Sequence, residues 1–151
     1  MAVMENIAWG EVAELLAPVR NYWLASVKTD GSPHATPVWG VVAGETFFFY
    51  SQRSTVKAHN IAANPRVVVH LESGEEVLIV RGTAEDCGRP GDSADVMAAL
   101  QEKYDDPEDQ VYLPTGDPAY DVLYRLRPSS ARRWILSDFD DSQRAWSLGE
   151  P

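Results

Sequence analysis

The feature that most constrains the fold is a close succession of short β-type segments separated by turns. Thr29-Asp30-Gly31-Ser32 stands between two of them, and Asp-Gly at the centre of a short loop is typical of a β-hairpin. Seven strands are predicted, at Tyr22 to Lys28, Pro33 to Val42, Thr46 to Tyr50, Arg66 to Glu72, Glu76 to Ala84, Tyr120 to Arg127 and Ala131 to Leu136. Six or seven strands in this order predict a mainly β fold, a small antiparallel barrel, with an open sandwich as the alternative.

Helices and irregular segments complete the predicted organisation, which is one domain over residues 1–151 with its core at 20–136. Helices are predicted at 5–17, at Ser54 to Ala63 with Ser54 as the cap, and at Ser93 to about Lys103. Irregular segments are predicted at Pro128-Ser129-Ser130 as the last turn, at Tyr104 to Pro118 as a long acidic loop or lid, and at 137–151 as a peripheral acidic tail.

The charge of the chain limits what it can bind. The formal net charge is −10, and residues 1–71 contain as many basic as acidic side chains, so the later residues supply all of it. Such a chain repels the phosphates of a nucleic acid, and no nucleic-acid partner is expected. A small anionic ligand remains compatible with the neutral first half.

Further protein classes are disfavoured by composition and motifs. The apolar runs are too short for a membrane span and no signal-peptide pattern is present, so no membrane association and a cytoplasmic location are expected. The single cysteine, Cys87, excludes an internal disulfide and a cysteine-rich zinc site, and its thiol is expected to be inert. His59 and His70 lie at no metal-binding spacing, and P-loop, GxSxG and GxGxxG motifs are absent.

The first candidate site is the junction between the third strand and the following helix, Tyr50 to Lys57. Free N–H groups and the helix dipole make a helix N-terminus a place for an anion. Lys57 and Arg53, on either side of the Ser54 cap, can add charge-assisted hydrogen bonds. The alternative interpretation is an ordinary capped helix with solvated charges.

The second candidate is the strand that contains Ser32 to Gly40. Pro33 and Pro37 cannot donate to a ladder, so this strand should have an open side or a bulge, with backbone groups free to face a flat ligand. His34 and Thr36 are predicted on one face and Ala35, Pro37 and Trp39 on the other. The alternative is an edge strand that its prolines protect from aggregation.

Four stretches between Tyr22 and Ala84 carry a family resemblance. They are Tyr22-Trp23-Leu24-Ala25-Ser26-Val27, Asp30-Gly31-Ser32-Pro33-His34-Ala35-Thr36-Pro37-Val38-Trp39, Phe49-Tyr50-Ser51 and Lys57-Ala58-His59-Asn60-Ile61-Ala62-Ala63-Asn64-Pro65-Arg66-Val67. In this order they resemble the pyridoxamine 5′-phosphate oxidase-like, flavin-binding split-barrel superfamily. The similarity is to its small actinobacterial members, which include enzymes that use the deazaflavin coenzyme F-420.

The resemblance implies a split barrel of the FMN-binding type and a homodimer with cofactor sites at the subunit interface. It implies an oxidoreductase that transfers hydride between bound FMN or coenzyme F-420 and an unidentified small organic substrate. Carried over by position, the ring would lie along His34, Ala35, Thr36, Pro37 and Val38, and the phosphate end at Tyr50, Ser51, Arg53, Ser54, Thr55 and Lys57. His34 and Tyr50 are the candidates for delivering a proton near the ring.

The sequence also departs from the family pattern. Family members commonly carry Ser-Arg-Lys where this chain has Thr55-Val56-Lys57, so one phosphate cation is missing, and Arg53 is the candidate to replace it. Ser137 to Asp141 is acidic and lacks the histidine that pyridoxamine phosphate oxidases use, which argues against an anionic pyridoxal-type substrate. Two alternatives stay open: a non-catalytic cofactor-binding protein, or a haem-handling protein with His34, His59 or His70 as the axial ligand.

Overall fold

The computed structural model describes residues 4–149, and its secondary structure is mainly β, as predicted. The strands of that part of the chain are β1 (Glu5–Asn6), β2 (Tyr22–Val27), β3 (Pro33–Val38), β4 (Gly40–Ala43), β5 (Thr46–Ser51), β6 (Arg66–Leu71), β7 (Glu76–Asp86), β8 (Val122–Ile135) and β9 (Arg144–Ser147). The α-helices are α1 (Trp9–Leu16), α2 (Val56–Ala63), α3 (Ala94–Lys103) and α4 (Phe139–Ser142), with short 3-10 helices at Pro90–Asp92, Pro107–Tyr112 and Leu136–Asp138. None of these helices has the length and apolarity that crossing a bilayer requires.

Seven of the strands form a barrel in the order β4-β5-β8-β7-β6-β2-β3, with each neighbouring pair antiparallel. The two ends of this path are consecutive in sequence, because β3 ends at Val38 and β4 begins at Gly40. The barrel is therefore joined at Trp39 by the peptide chain, with no ladder between β3 and β4. The predicted antiparallel barrel is confirmed, whereas the single strand predicted from Pro33 to Val42 is in fact two strands.

The open side predicted for the proline-containing strand is also present. β3 lies at the end of the path and pairs with β2 alone among the described residues. The second row of β3 backbone groups has no strand partner, so Pro33 and Pro37 cost the sheet little. This free edge begins beside Val38, where the barrel is split.

The strands predicted at Tyr120 to Arg127 and Ala131 to Leu136 are one continuous strand, β8, and the turn predicted at Pro128-Ser129-Ser130 is wrong. Pro128 lies opposite Gly82 at a register shift in the β7–β8 ladder. A proline is tolerated at such an irregularity because its missing N–H interrupts a ladder that is already interrupted. The turn signal in the sequence therefore marks a bulge.

The tail is more firmly attached than predicted. β9 pairs antiparallel with β8, and β1 adds to β9 in parallel, which brings the described strands to nine instead of six or seven. Ser142 is buried, and its Oγ accepts a hydrogen bond of 2.7 Å from the backbone N–H of Ile135. Only residues 150 and 151 of the predicted tail lie outside the described part of the chain.

Two apolar clusters hold these elements together. The barrel interior is filled by side chains such as Leu24, Phe49 and Val80, and α1 packs against it. A second cluster joins α3 to the barrel wall through Leu100, Tyr104, Leu113, Leu123 and their neighbours. Leu113 is completely buried, so the segment predicted as a loop or lid is fixed to the barrel as a wall. This wall stands beside the split.

Candidate functional site

A cleft of about 440 Å³ lies beside the split in the barrel. It is formed by the end of β3, the end of β5, the start of α2 and the segment between α3 and β8. The residues that line it are Asn21, Pro37, Val38, Trp39, Tyr50, Ser51, Gln52, Thr55, Lys57, Tyr112 and Tyr120. Six of the residues predicted from the sequence are among them: Pro37, Val38, Tyr50, Ser51, Thr55 and Lys57.

Lys57 is the basic residue among the side chains that line this cleft. It is half-buried and makes no ion pair or side-chain hydrogen bond with the described residues. Burial lowers the pKa of its ammonium group, because no neighbouring carboxylate compensates for the lost hydration. An anionic ligand in the cleft would supply this missing counter-charge.

Thr55 shapes the helix start next to Lys57, and it is Thr55 rather than Ser54 that caps α2. Its Oγ1 accepts a hydrogen bond from the backbone N–H of Ala58 at 3.4 Å and donates one to the carbonyl oxygen of Gln52 at 2.7 Å. The Oγ of buried Ser51 lies 3.1 Å from the Oγ1 of Thr55. The predicted cap was one residue early, because both Ser54 and Thr55 suit the position. Ser54 is exposed and does not line the cleft.

Arg53 is directed away from the cleft. Its guanidinium forms a bidentate pair with Asp86, with N–O distances of 2.7 and 3.1 Å, and lines a different cavity next to His59. Its backbone N–H donates to Asp121 at 2.8 Å. Arg53 and Lys57 are only four positions apart in sequence, but they line different cavities in the structure.

The β3 residues divide between the two sides of the sheet as predicted. Thr36 and His34 lie opposite Leu24 and Ser26, on the inner side, whereas Ala35 and Pro37 are exposed on the outer side. Pro37 and Val38 reach the cleft, whereas His34, Ala35 and Thr36 lie further along the free edge of β3. The Nδ1 atom of His34 is buried and has no hydrogen-bond partner among the described residues.

An aromatic wall that the sequence analysis did not identify closes the other side of the cleft. Tyr120 meets Tyr50 edge-to-face with ring centroids 5.3 Å apart, and Tyr112 meets Trp39 in the same way at 5.8 Å. Tyr104 stacks parallel to Trp39 at 4.3 Å. These pairs lie far apart in sequence, so only the aromatic composition of the acidic segment hinted at them.

Two polar contacts fix this wall. Arg20 makes a bidentate pair with the buried carboxylate of Asp109, with N–O distances of 2.7 and 3.0 Å, and lowers the pKa of that carboxyl through the hydrogen bond and the opposite charge. The Tyr50 hydroxyl donates to the carbonyl oxygen of Tyr112 at 2.5 Å. Burial raises the pKa of Tyr50 well above its usual value, so this hydroxyl stays protonated and serves as an anchor.

The described residues hold no group of three or more His, Cys, Asp or Glu side chains that could bind a metal ion. His70 lies on the outer face of the sheet, with Nδ1 2.7 Å from the Leu71 carbonyl oxygen. Cys87 is half-buried, and burial raises the pKa of its thiol. Neither residue reaches the cleft.

Comparison with known proteins agrees with this architecture. Residues 8–134 match the family model described as pyridoxamine 5′-phosphate oxidase. A solved structure described as an F-420 reductase is 30% identical, with a TM-score of 0.60, and the match covers 76% of this chain and 90% of that one. No curated protein matches the sequence.

Two more distant structures share the fold. One is a heme-binding protein from Mycobacterium smegmatis, 20% identical with a TM-score of 0.70, covering 96% of this chain and 60% of that one. The other is a putative pyridoxamine 5′-phosphate oxidase from Listeria innocua, 20% identical with a TM-score of 0.61, covering 83% of this chain and 96% of that one. The family model spans the barrel and both walls of the cleft, and the chain therefore belongs to the pyridoxamine 5′-phosphate oxidase-like, FMN-binding split-barrel superfamily.

Proposed function

We propose that this protein binds a phosphate-bearing flavin or deazaflavin in the cleft and acts as an oxidoreductase on a small organic substrate. The observation that carries the proposal is Lys57, a half-buried cation in the cleft without a counter-charge among the described residues. Ser51 and the start of α2 supply hydroxyl and N–H donors beside it. These residues fit a phosphate group.

The free edge of β3 fits the rest of such a cofactor. From Val38 its unpaired backbone groups run away from the cleft, so N–H and C=O groups can meet the polar edge of a flat ring. When bound, the cofactor supplies the hydride chemistry at its central ring. The protein anchors the phosphate through Lys57, orients the ring along β3 and excludes water with Trp39 and Tyr112.

Coenzyme F-420 is the first choice of cofactor and FMN the second. Both carry the phosphate for which Lys57 is placed, so the anchor itself does not separate them. The 30% identity to a structure described as an F-420 reductase favours the deazaflavin, and the stretch Thr36-Pro37-Val38-Trp39-Gly40 also slightly favours the deazaflavin-using members.

We further propose that the protein is a homodimer that uses the outer face of the β3-β2-β6-β7 sheet. Half-buried apolar side chains cover this face and its continuation on β8: Trp23, Ala25, Val27, Val68, Val77, Ile79 and, on β8, Trp134. Trp23, His70 and Ile79 form one continuous row across three strands, and Ala25, Val68 and Arg81 form the next. An apolar patch of this kind is typical of a protein–protein interface. It reaches Pro37, so a second copy would border the cofactor site.

The test is a fluorescence titration of the purified protein with coenzyme F-420 and, separately, with FMN. One of the two should bind, and Lys57→Met should weaken its binding by about 10- to 100-fold, because a hydrogen bond to a charged group contributes about 1.5–3 kcal/mol. Lys28→Met is the matched control, since Lys28 is exposed in the β2–β3 turn. Failure of both compounds to bind would overturn the proposal, as would equal losses in the two variants.

The same purified protein should also be tested for binding of haem. A Soret band after addition of haem, together with no binding of either phosphate-bearing compound, would favour a haem-handling protein of this fold. Cofactor binding without turnover of any substrate would favour the non-catalytic carrier.

A further inference from the structure

Resting on the proposed function, we propose that the aromatic end of the cleft selects a planar, positively charged ring as substrate. The lining of the cleft has two chemically different parts. Lys57 is the basic part, and the rings of Trp39, Tyr112 and Tyr120 are the aromatic part, called the aromatic end. The aromatic end is left for the substrate once an anionic group is bound to Lys57.

The rings of Tyr112 and Tyr120 present surfaces that attract cations, whereas Trp39 already has the Tyr104 ring stacked on it at 4.3 Å and the Arg20 guanidinium 4.7 Å from its ring centre. The face of an aromatic ring is electronegative, and tryptophan and tyrosine bind cations over their faces. Tyr112 is 55% exposed, so part of its surface is available to a ligand. Its position is set by the backbone, because its own carbonyl oxygen accepts the Tyr50 hydrogen bond.

The charge of the acidic segment at residues 104–121, called the acidic wall, also favours a cation. Residues 104–121 include six acidic residues and no Lys or Arg. Arg20 neutralises Asp109, whereas Asp105, Asp106, Glu108 and Asp117 have no ion-pair partner among the described residues. Burial is the main cause of the raised pKa of Tyr120, and the negative charge of Asp117 is the second. The charge of this segment therefore acts on a side chain that lines the cleft.

Lys57 opposes a cation only while it is unpaired. With a phosphate group bound to Lys57 and Arg20 paired with Asp109, the charges without an ion-pair partner near the cleft among the described residues include Asp105, Asp106, Glu108 and Asp117. A cationic ring then gains both the Coulomb attraction of the wall and the contact with the ring faces, whereas an anionic ring of the same shape loses both.

Three pyridines of nearly identical shape test this selection: 1-methylnicotinamide, nicotinamide and nicotinate, which carry a positive, zero and negative charge at pH 7. Ligand-observed NMR titrations at low salt would be run on the apo-protein and on the protein saturated with the cofactor that binds it. We expect the cofactor-saturated protein to bind the cation about fivefold more tightly than the neutral ring and the anion more weakly still, with the same order but smaller differences in the apo-protein, where Lys57 is unpaired. High salt should reduce the differences.

Variants separate the two contributions. Asp117→Asn removes a charge but keeps the side-chain oxygen that accepts the Ala119 N–H at 2.9 Å, and Tyr112→Leu removes the ring but keeps the carbonyl oxygen that anchors Tyr50. Each should reduce the preference for the cation by about half or more. Asp140→Asn, an equal change of charge on exposed α4, should leave it unchanged.

Equal affinity for the three rings, tighter binding of nicotinate, or no binding of any of them would overturn this inference. These outcomes are read independently of the cofactor titration. If F-420 or FMN binds through Lys57 while the charge order is absent, the substrate inference fails and the proposed function stands. If neither compound binds, the proposed function fails, and the order measured on the apo-protein decides whether the cleft prefers cations.

Discussion

Two basic residues at the start of α2 differ in their surroundings, and this difference assigns them different roles. Lys57 is half-buried in the cleft without a counter-charge among the described residues. Arg53 is exposed and paired with Asp86, which raises the pKa of the guanidinium and lowers that of the carboxyl. A second cation can strengthen phosphate binding only if it can reach the phosphate, and Arg53 would first have to break its bidentate pair with Asp86. The sequence-based hypothesis is that Arg53 replaces the missing cation. This hypothesis and the structure therefore predict different effects on cofactor affinity when the Arg53 guanidinium is removed.

The Arg53→Gln variant distinguishes the sequence-based prediction from the structure-based one. From the structure we expect the affinity for F-420 or FMN to change by less than about threefold, since Asp86 already holds the guanidinium. The loss of an exposed ion pair should lower the free energy of unfolding by about 0.2–1 kcal/mol. Titration of the cofactor and urea denaturation give the two values. A loss of affinity as large as that of Lys57→Met would assign Arg53 to the phosphate after all.

At the scale of single elements, α3 is joined to the split barrel by a half-buried lysine. Nζ of Lys103 donates to the Gly40 carbonyl oxygen at 2.8 Å and to the Tyr22 hydroxyl at 2.6 Å, and it lies 4.6 Å from the centre of the Tyr22 ring. Burial lowers its pKa from 10.5 to about 8. The helix is thus attached to the first residue of β4 by a group that is costly to charge.

This lysine predicts a pH dependence of stability. Because the pKa is lower in the folded state, the unfolded chain binds more protons between about pH 8 and 10.5, and the contribution of Lys103 to stability rises with pH in this window. The slope is at most about 1.4 kcal/mol per pH unit. Lys103→Met should lack this contribution, so the difference in unfolding free energy between wild type and variant should change between pH 8 and 9.5. A constant difference would contradict the prediction.

The bulge between β7 and β8 predicts an intolerant glycine. A Cβ atom at Gly82 would lie 2.3 Å from the Arg127 carbonyl oxygen, which is a backbone atom and cannot rotate away. Gly82→Ala should therefore destabilise the protein by about 1–3 kcal/mol, the range for overpacking. Gly74→Ala is the control, because a Cβ atom there meets nothing within 4 Å. Chemical denaturation of both variants gives the comparison, and equal stabilities would mean that the bulge relaxes.

Local patterns predicted most of the elements, and long-range contacts explain the errors. The strand–turn–helix stretch from β5 to α2 could be read directly because strand, cap and Lys57 are neighbours in sequence. Pro128 was misread as a turn residue, since whether a proline occupies a turn or a bulge depends on the strand opposite. Tyr112 and Tyr120 were missed for the same reason: β5 and β3, which they face across the cleft, lie more than sixty positions earlier.

At the scale of the whole molecule, charge and apolar surface are segregated. The acidic residues that give the chain its charge of −10 include the wall beside the cleft, whereas the outer face of β2, β6 and β7 is apolar with arginines at its margin. Arg66 and Arg81 have no ion-pair partner among the described residues. The face suited to self-association is therefore the one with little negative charge to oppose it.

Val68→Asp tests the dimer that we propose. Val68 lies between Ala25 and Arg81 in the middle of the face, and its side chain points away from the barrel core. Removing a carboxylate from water in an apolar interface is unfavourable even with the Arg81 guanidinium beside it, so we expect sedimentation velocity to show monomers for this variant and dimers for the wild type. Val111→Asp, at a side chain that is 61% exposed, should leave the dimer intact. A monomeric wild type would contradict the proposal.

The position of β8 also determines when the protein can fold during its synthesis. β8 pairs with β5, β7 and β9, so the barrel has no complete wall until residues 122–135 have left the ribosome. Until then β5 and β7 present unpaired edges, and an unpaired edge invites association with another chain. We therefore expect the nascent chain to depend on chaperones until β8 has emerged, and the cleft to form only after translation of β8.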